Sequence, residues 1–592
     1  MKYLILATAA FAAGSAAAQE ASDAVAPEGA TAGTFEAISP EVAAALEAKA
    51  AGQPVEAENW MVAAANPHAV EAGAKVLRAG GTAADAMVAV QTVLGLVEPQ
   101  SSGLGGGAFL VWYDAATGEV TTLDGRETAP LAAMPTLFQD ESGEPLQFFD
   151  AVVGGRSVGT PGTPALLEAA HRRWGQANWP SLFEPAIRLA EDGFAVSPRL
   201  AGLVASDAER LARFQATAAY FLPQGEPVQE GAVLLNPDYA ETLRALAKDG
   251  AGAFYSGSIA AEIVHAVSTA EGNPGVLSAT DLALYQVKER PAVCVAYRDF
   301  EACGMGPPSS GALTVGQILG MLNSYDLAEL GAESAEAWRL IGDASRLAFA
   351  DRSRYMADSD YVPVPTHGLV AADYLASRAE LLQGDDALPE VAPGSPEFDH
   401  ALLADDESIE LPSTSHISIV DRYGNVLSMT TTIENAFGSR LMAGGFLLNN
   451  ELTDFSFRTH ANGVPIANRL EPGKRPRSSM APAIVLREGK PVLAIGSPGG
   501  SRIIGYVAKS IIAWADWGLN IQEALALPHL VNRFGTYDLE AGTSAEGLGD
   551  ALTGMGFEVE VRDLNSGLHA IEIGEGLKGA ADPRREGIAL GG

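Results

Sequence analysis

The sequence predicts an α+β fold built in packed layers. Three observations carry that prediction. Apolar residues make up 47% of the chain and charged residues 19%, the balance of a core-forming globular protein. From about Gly162 to Tyr285 the apolar positions recur with helical spacing. After Thr414 the pattern changes to short strands joined by tight turns. Helical runs followed by mainly antiparallel strands fit layers of both packed on one another.

The 592 residues allow several domains, or one large one that is later split. With 38 Lys and Arg against 74 Asp and Glu, the formal charge is -36. Nucleic acid and anionic membranes repel such a chain, so neither is an expected partner. At the start, Lys2 precedes the apolar run Tyr3 to Ala13, and Ala16-Ala17-Ala18 offers small residues for cleavage. This reads as a signal peptide over residues 1–18, too short for the ~20 residues of a membrane span. No later segment is an uninterrupted apolar span. A periplasmic or secreted protein is expected.

From Gln19 to about Glu58 the composition reads as a loose lead-in. Asn66-Pro67-His68 opens a helix that Ala79-Gly80-Gly81 closes. Thr82 caps a second helix through Val97, with Asp85 as capping-box partner. The loop Ser101 to Gly107 leads into the strand Ala108–Tyr113, followed by the strand Val120–Asp124. A glycine loop before a strand, with no lysine after it, is not a phosphate cradle. Leu166 to Trp174, Pro185 to Glu191, Asp207 to Phe214 and Tyr239 to Leu246 read as helices.

Cys294 and Cys303 flank a hairpin turning at Arg298-Asp299, which sets them opposite each other. An exported compartment permits a disulfide, and two buried thiols are the alternative. Either role is structural. No Cys, His and carboxylate set has metal-ligand spacing, so neither a metal nor a cofactor is expected.

Gly304 to Gly311 breaks the chain before a helical run to Leu322, and Ser334 caps another to Met356. Asp385 to Glu410 is acidic and proline-bearing and reads as an exposed linker. Beyond it come the strands Ile417–Val420 and Val426–Ile433, the hairpin around Arg487 to Lys490, and a helix from Ile503 to Trp514.

A small hydroxyl residue where an acidic loop meets a strand suggests a chain that cuts itself there. A threonine freed at a chain terminus carries its own base. Its α-amine, with a pKa near ~8, accepts the hydroxyl proton directly or through water.

Here the chain resembles the γ-glutamyltranspeptidases, also called glutathione hydrolases. The resemblance rests on Thr414-Ser415-His416, Gly424-Asn425, Thr430-Thr431-Thr432, Glu434 and Phe437-Gly438. It extends from about Met61 to the C-terminus through Gly105-Gly106-Gly107, Arg126-Glu127-Thr128-Ala129-Pro130 and Pro307 to Gly311. Ala350-Asp351-Arg352, Leu448 to Glu451 with Asp454-Phe455, Lys474 to Met480, Gly496 to Ser501 and Asp582-Pro583-Arg584 complete it.

The resemblance implies an N-terminal-nucleophile hydrolase fold of four layers, αββα. It implies a cut between Ser413 and Thr414 into a large chain, 19–413, and a small chain, 414–592, held together as a heterodimer of the two cleavage products. The implied substrates are glutathione and other γ-glutamyl compounds. Thr414 is the implied nucleophile, Thr432 its orienting hydroxyl, and Gly499 and Gly500 the oxyanion donors. Arg126, with Ser478 and Ser479, would clamp the glutamyl carboxylate. Glu451 and Asp454 would hold its ammonium, with Glu434 as a polar wall. His416 is read as structural.

Two departures bear on specificity. Phe455 to Asn468 is shorter than the lid of many members and has no Tyr, which predicts a more open pocket. Glu434 stands where many members have Asn. The alternative activity is a glutaryl-type acylase of the same family, against which Glu451 and Asp454 argue: two carboxylates facing an uncharged carbon are costly.

Overall fold

The computed structural model describes residues 35–398, 402–408, 410–411 and 413–592. The signal-peptide segment lies outside them. The part of the lead-in among the described residues, from Phe35 on, is more ordered than its composition predicts. Ser39 caps helix α1 (Pro40–Ala50), and Val42 and Ala45 bury one face. Lys49 reaches the carbonyls of Arg585 (2.6 Å) and Gly587 (2.7 Å), tying this helix to the far end of the chain.

Thirteen strands form one continuous antiparallel ladder. They are β1 (Val55–Ala57), β2 (Met61–Ala64), β3 (Gly107–Tyr113), β4 (Val120–Gly125), β5 (Lys288–Tyr297), β6 (Phe300–Met305) and β7 (Ser415–Val420). Then come β8 (Val426–Thr432), β9 (Ala483–Arg487), β10 (Lys490–Gly496), β11 (His569–Ile573), β12 (Leu577–Ala581) and β13 (Ile588–Gly591). Their order across the ladder is β1-β12-β11-β10-β9-β6-β5-β4-β3-β8-β7-β2-β13.

Strand β5 turns the corner. Its first residues pair with β4 and its last with β6, so the ladder folds into two facing sheets. Met61, Val111, Val420 and Val426 from one sheet meet Ile484, Ala494 and Ile571 from the other. The outward side chains of β7 and β8, Ile417, Ile419, Leu427 and Met429, pack under α2 (Pro67–Arg78) and α3 (Ala83–Val97). On the opposite outer face, Val485, Leu493 and Ile495 pack under α4 (Gly311–Leu322), α5 (Ala335–Tyr355) and α6 (Ile503–Ala515). Three cores between four layers make the αββα sandwich that the family resemblance implies.

The helices follow their sequence signals. The Thr82–Asp85 capping box starts α3, and Ser334 caps α5. The helix predicted from Asp207 instead spans Pro198–Leu211, because Ser197 caps it and Pro198 occupies its first turn. Cys294 and Cys303 are direct partners on β5 and β6, with sulfurs bonded at 2.10 Å. Among the described residues, no helix is long and apolar enough to cross a membrane.

The stretch read as an exposed acidic linker is not exposed where it nears Thr414. Asp406, Glu410, Leu411 and Ser413 are buried. The acids can be buried because two buried arginines, Arg352 and Arg477, meet them.

Candidate active site

Thr414 lies at the head of β7, in the middle of one sheet, and is buried at 4% exposure. Its φ of 135° falls in a region that β-branched residues avoid. Ser413 is pinned beside it, its hydroxyl donating to the Gln100 carbonyl at 2.9 Å. Arg585 holds the Thr414 carbonyl at 3.2 Å. The Thr414 hydroxyl donates to Thr432 Oγ1 at 3.2 Å, and that oxygen also accepts the Glu434 N–H at 2.9 Å.

Thr432 ends β8, and the glycine loop fixes it there. A Cβ on Gly106 would sit 1.9 Å from the Thr432 carbonyl oxygen. The loop that cannot serve a phosphate thus lets two backbones meet beneath the site. His416 points into the space between the sheets. Its ring bonds Thr430 Oγ1 (2.8 Å) and Ser418 Oγ (3.0 Å), and burial, then His569, pull its pKa well below the ordinary value. It serves the sheet interior and makes no bond to Thr414.

One small cavity, of about 20 Å³, brings together Arg126, Glu410, Leu411, Thr414, Thr432, Glu434, Glu451, Asp454, Ser478, Ser479 and Gly500. Gly499 does not border it but gives the turn, at φ 134°, that presents Gly500. A Cβ on Gly500 would come within 2.9 Å of the Leu411 carbonyl oxygen. The open pocket expected from the short lid is therefore absent, because Glu410 and Leu411 enter it. The lid's Phe457 stacks on Phe138, with centroids 4.7 Å apart.

Arg126, expected to face a carboxylate, is ion-paired with both Glu451 and Asp454. Its guanidinium also donates to the Arg477 carbonyl (2.8 Å) and the Pro476 carbonyl (3.2 Å). Burial works against the guanidinium, but Glu451 and Asp454 outweigh it and hold the charge. Two more buried acids crowd the same place. Burial, then Glu451, lifts Glu127 well above the carboxylate range and pushes Glu434 up to about 8. Four acids thus crowd one arginine, and burial favours the protonated form of Glu127 and Glu434.

Ser478 is tied up locally, accepting the Met480 N–H at 3.1 Å. Ser479 bonds Arg352 (2.7 Å) and the Glu410 carboxylate. Glu434 accepts from the Leu411 N–H at 3.1 Å and from Asn450. Sequence reasoning missed Glu127, Arg352, Glu410, Asn450 and Arg477 as site residues. Glu410 had a signal: it stands between Ile409 and Leu411, an acid between apolar residues shortly before Thr414.

A threonine heading a central strand of an αββα sandwich is the arrangement of the N-terminal-nucleophile hydrolases. Residues 69–592 match the Gamma-glutamyltranspeptidase family. The chain is 37% identical over 548 residues to a glutathione hydrolase proenzyme of Bacillus subtilis (strain 168), covering 90% of this chain and 92% of that one. It is 36% identical over 548 residues to the Escherichia coli (strain K12) glutathione hydrolase proenzyme, covering 90% and 91%. A cephalosporin acylase from Bacillus halodurans superposes with a TM-score of 0.80 at 25% identity, over 91% of this chain and 97% of that one. The chain belongs to the γ-glutamyltranspeptidase family and is an enzyme of its hydrolase and transferase class.

Proposed function

We propose that this chain cuts itself between Ser413 and Thr414 and then hydrolyses or transfers γ-glutamyl groups, with Thr414 as nucleophile. The observation that carries the reading is Thr414 itself: buried, held at φ 135°, its hydroxyl on Thr432. Such a conformation stores about 1–3 kcal/mol against the bond before it. In the cut, Thr414 Oγ1 attacks the Ser413 carbonyl carbon and displaces the Thr414 nitrogen, giving an ester and a free amine. Water then hydrolyses the ester, leaving a Ser413 carboxylate and the terminal Thr414.

In turnover the freed α-amine takes the Thr414 hydroxyl proton as Oγ1 attacks a γ-amide carbonyl. The N–H groups of Gly499 and Gly500 receive the oxyanion, and losing one such donor costs about 3 kcal/mol. The amine leaves with the proton, and the γ-glutamyl ester passes to water, an amino acid or a peptide. Glu451 and Asp454 support a donor bearing an ammonium, as in glutathione, the substrate named for the two bacterial relatives.

The two pieces, 19–413 and 414–592, stay together as a heterodimer. Support comes from the sheet: β8 of the small piece pairs with β3 of the large, β7 with β2, and β9 with β6. Residues 1–18 direct export to the periplasm or medium.

A denaturing gel tests the cut: wild type splits into roughly 40 and 20 kDa pieces, by the arithmetic of a break at Thr414, and Thr414→Ala stays whole. A wild-type chain that never splits would falsify the mechanism. The cephalosporin acylase likeness supports a second reading, glutaryl acylase activity. Comparing kcat/KM on γ-glutamyl and glutaryl anilides decides; preference for the glutaryl compound overturns the first reading.

A further inference from the structure

Two buried arginines beside the cavity have no part in the chemistry above. Arg352 rises from α5, and Arg477 from the segment before β9. They meet in one place. Arg352 Nη2 bonds the Glu410 carboxylate and Ser479 Oγ, and its Nε bonds Ser310 Oγ at 2.8 Å. Arg477 Nη2 lies 3.4 Å from Glu410 Oε1 and 3.1 Å from Asp406 Oδ2. The other Glu410 oxygen takes the Ser479 hydroxyl.

The anions on this site all come from the segment about to be cut loose. Among the described residues, Arg352 has Glu410 as its one ion-pair partner, and Arg477 has Asp406 and Glu410. Arg477 Nε and Nη1 are buried with no hydrogen-bond partner among the described residues. Glu451 and Asp454 do not supply what they lack, since both are ion-paired with Arg126. Burial would raise Glu410, yet Arg352 and Arg477 hold it at about 2, the behaviour of a bound carboxylate.

The same segment blocks the nucleophile. The Glu410–Leu411 backbone packs on Gly500, the Leu411 N–H bonds Glu434, and about 20 Å³ is left in front of Thr414. A substrate enters only if residues 406–411 withdraw. Withdrawal removes both carboxylates and leaves two buried guanidiniums facing the emptied cavity, a state that calls for another anion.

We propose that Arg352, Arg477 and Ser479 form a carboxylate-binding subsite, filled by Glu410 in the uncut chain and by a carboxylate of donor or acceptor after the cut. Glu410 is then an internal stand-in for the ligand, and Arg477 a specificity residue for acidic substrates. The proposal rests on the processing reading above, because the subsite opens only when the segment is released.

The test uses processed wild type, processed Arg477→Met and the uncut Thr414→Ala chain. Glutarate, a plain dicarboxylate, is titrated into each by calorimetry. Processed wild type binds it at least tenfold more tightly than either variant. Equal affinity in uncut and processed chains overturns the proposal, and this comparison stands even if Arg477→Met fails to fold.

Two kinetic arms locate the source of the carboxylate. If the donor supplies it, Arg477→Met raises KM for a γ-glutamyl anilide at least tenfold and leaves its α-carboxamide counterpart unchanged. If the acceptor supplies it, transfer to glutamate falls at least tenfold while transfer to glutamine does not. A split, active enzyme in which neither ratio moves by more than about twofold sinks the subsite and spares the processing reading. A chain that never splits sinks both.

Discussion

The Thr414 hydroxyl lies 3.2 Å from the hydroxyl of Thr432, across neighbouring strands of one sheet. The same Thr432 oxygen takes the Glu434 N–H, so its place is set by backbone as well as side chain. The proposed nucleophile is thus aimed by the sheet.

Thr432→Ala removes the acceptor of the Thr414 hydroxyl and leaves the strand intact. We expect self-cutting and kcat to fall by roughly 10²-fold, the scale of losing a positioned proton-transfer partner. Thr432→Ser keeps the oxygen and restores most of both. Time courses on gels and initial rates read this out; an Ala variant within about twofold of wild type contradicts the role.

Gly106→Ala places a methyl 1.9 Å from the Thr432 carbonyl oxygen. The neighbour is backbone and cannot swing aside. A loss of about 1–3 kcal/mol is expected from overpacking, with slower cutting because Thr432 moves. A Tm equal to wild type would show that the loop gives way.

Arg126→Met leaves Glu451 and Asp454 buried without their cation. Breaking a buried pair from one side costs about 3–5 kcal/mol, less what protonation of the acids recovers. The variant should melt at lower temperature and regain part of the loss as the pH falls. Unchanged melting at neutral pH refutes this account of the cluster.

Glu434 is pushed from an ordinary 4.5 to about 8, by burial first and by Glu451 second. Between those values the folded chain holds a proton that the unfolded chain releases. The stabilisation is complete below 4.5 and is lost as the pH rises toward 8. In the uncut Thr414→Ala background, Glu434→Gln should therefore flatten the decline of Tm across this window. Parallel Tm profiles for the two proteins would rule it out.

Asp207 pairs with buried Arg440 across the proposed cut, at 2.8 and 3.2 Å. Asp207→Ala strands that guanidinium, at about 3–5 kcal/mol. The processed pair should then separate at lower urea than wild type, as followed by size-exclusion chromatography. Identical midpoints would mean that the sheet alone holds the pieces.

Much of the fold was legible in the sequence because its signals are local. Thr82 with Asp85, Ser334 and the alternation after Thr414 each act within a few residues. Helix α1 was missed because alanine-rich composition hides which face is buried, and only docking against the chain's last residues selects one. The end of the acidic stretch was misread for a related reason. Charge predicts exposure unless a partner is buried with it, and Arg352 and Arg477 lie 58 and 67 residues away from Glu410.

The sequence by itself determined the layered α+β class, the family and the threonine at the head of a strand, all of which reside in contiguous residues. Only the tertiary structure decided how the charges are shared. It set Arg126 against Glu451 and Asp454, and Glu410 against Arg352 and Arg477, because each buried charge must find a partner among groups distant in the chain.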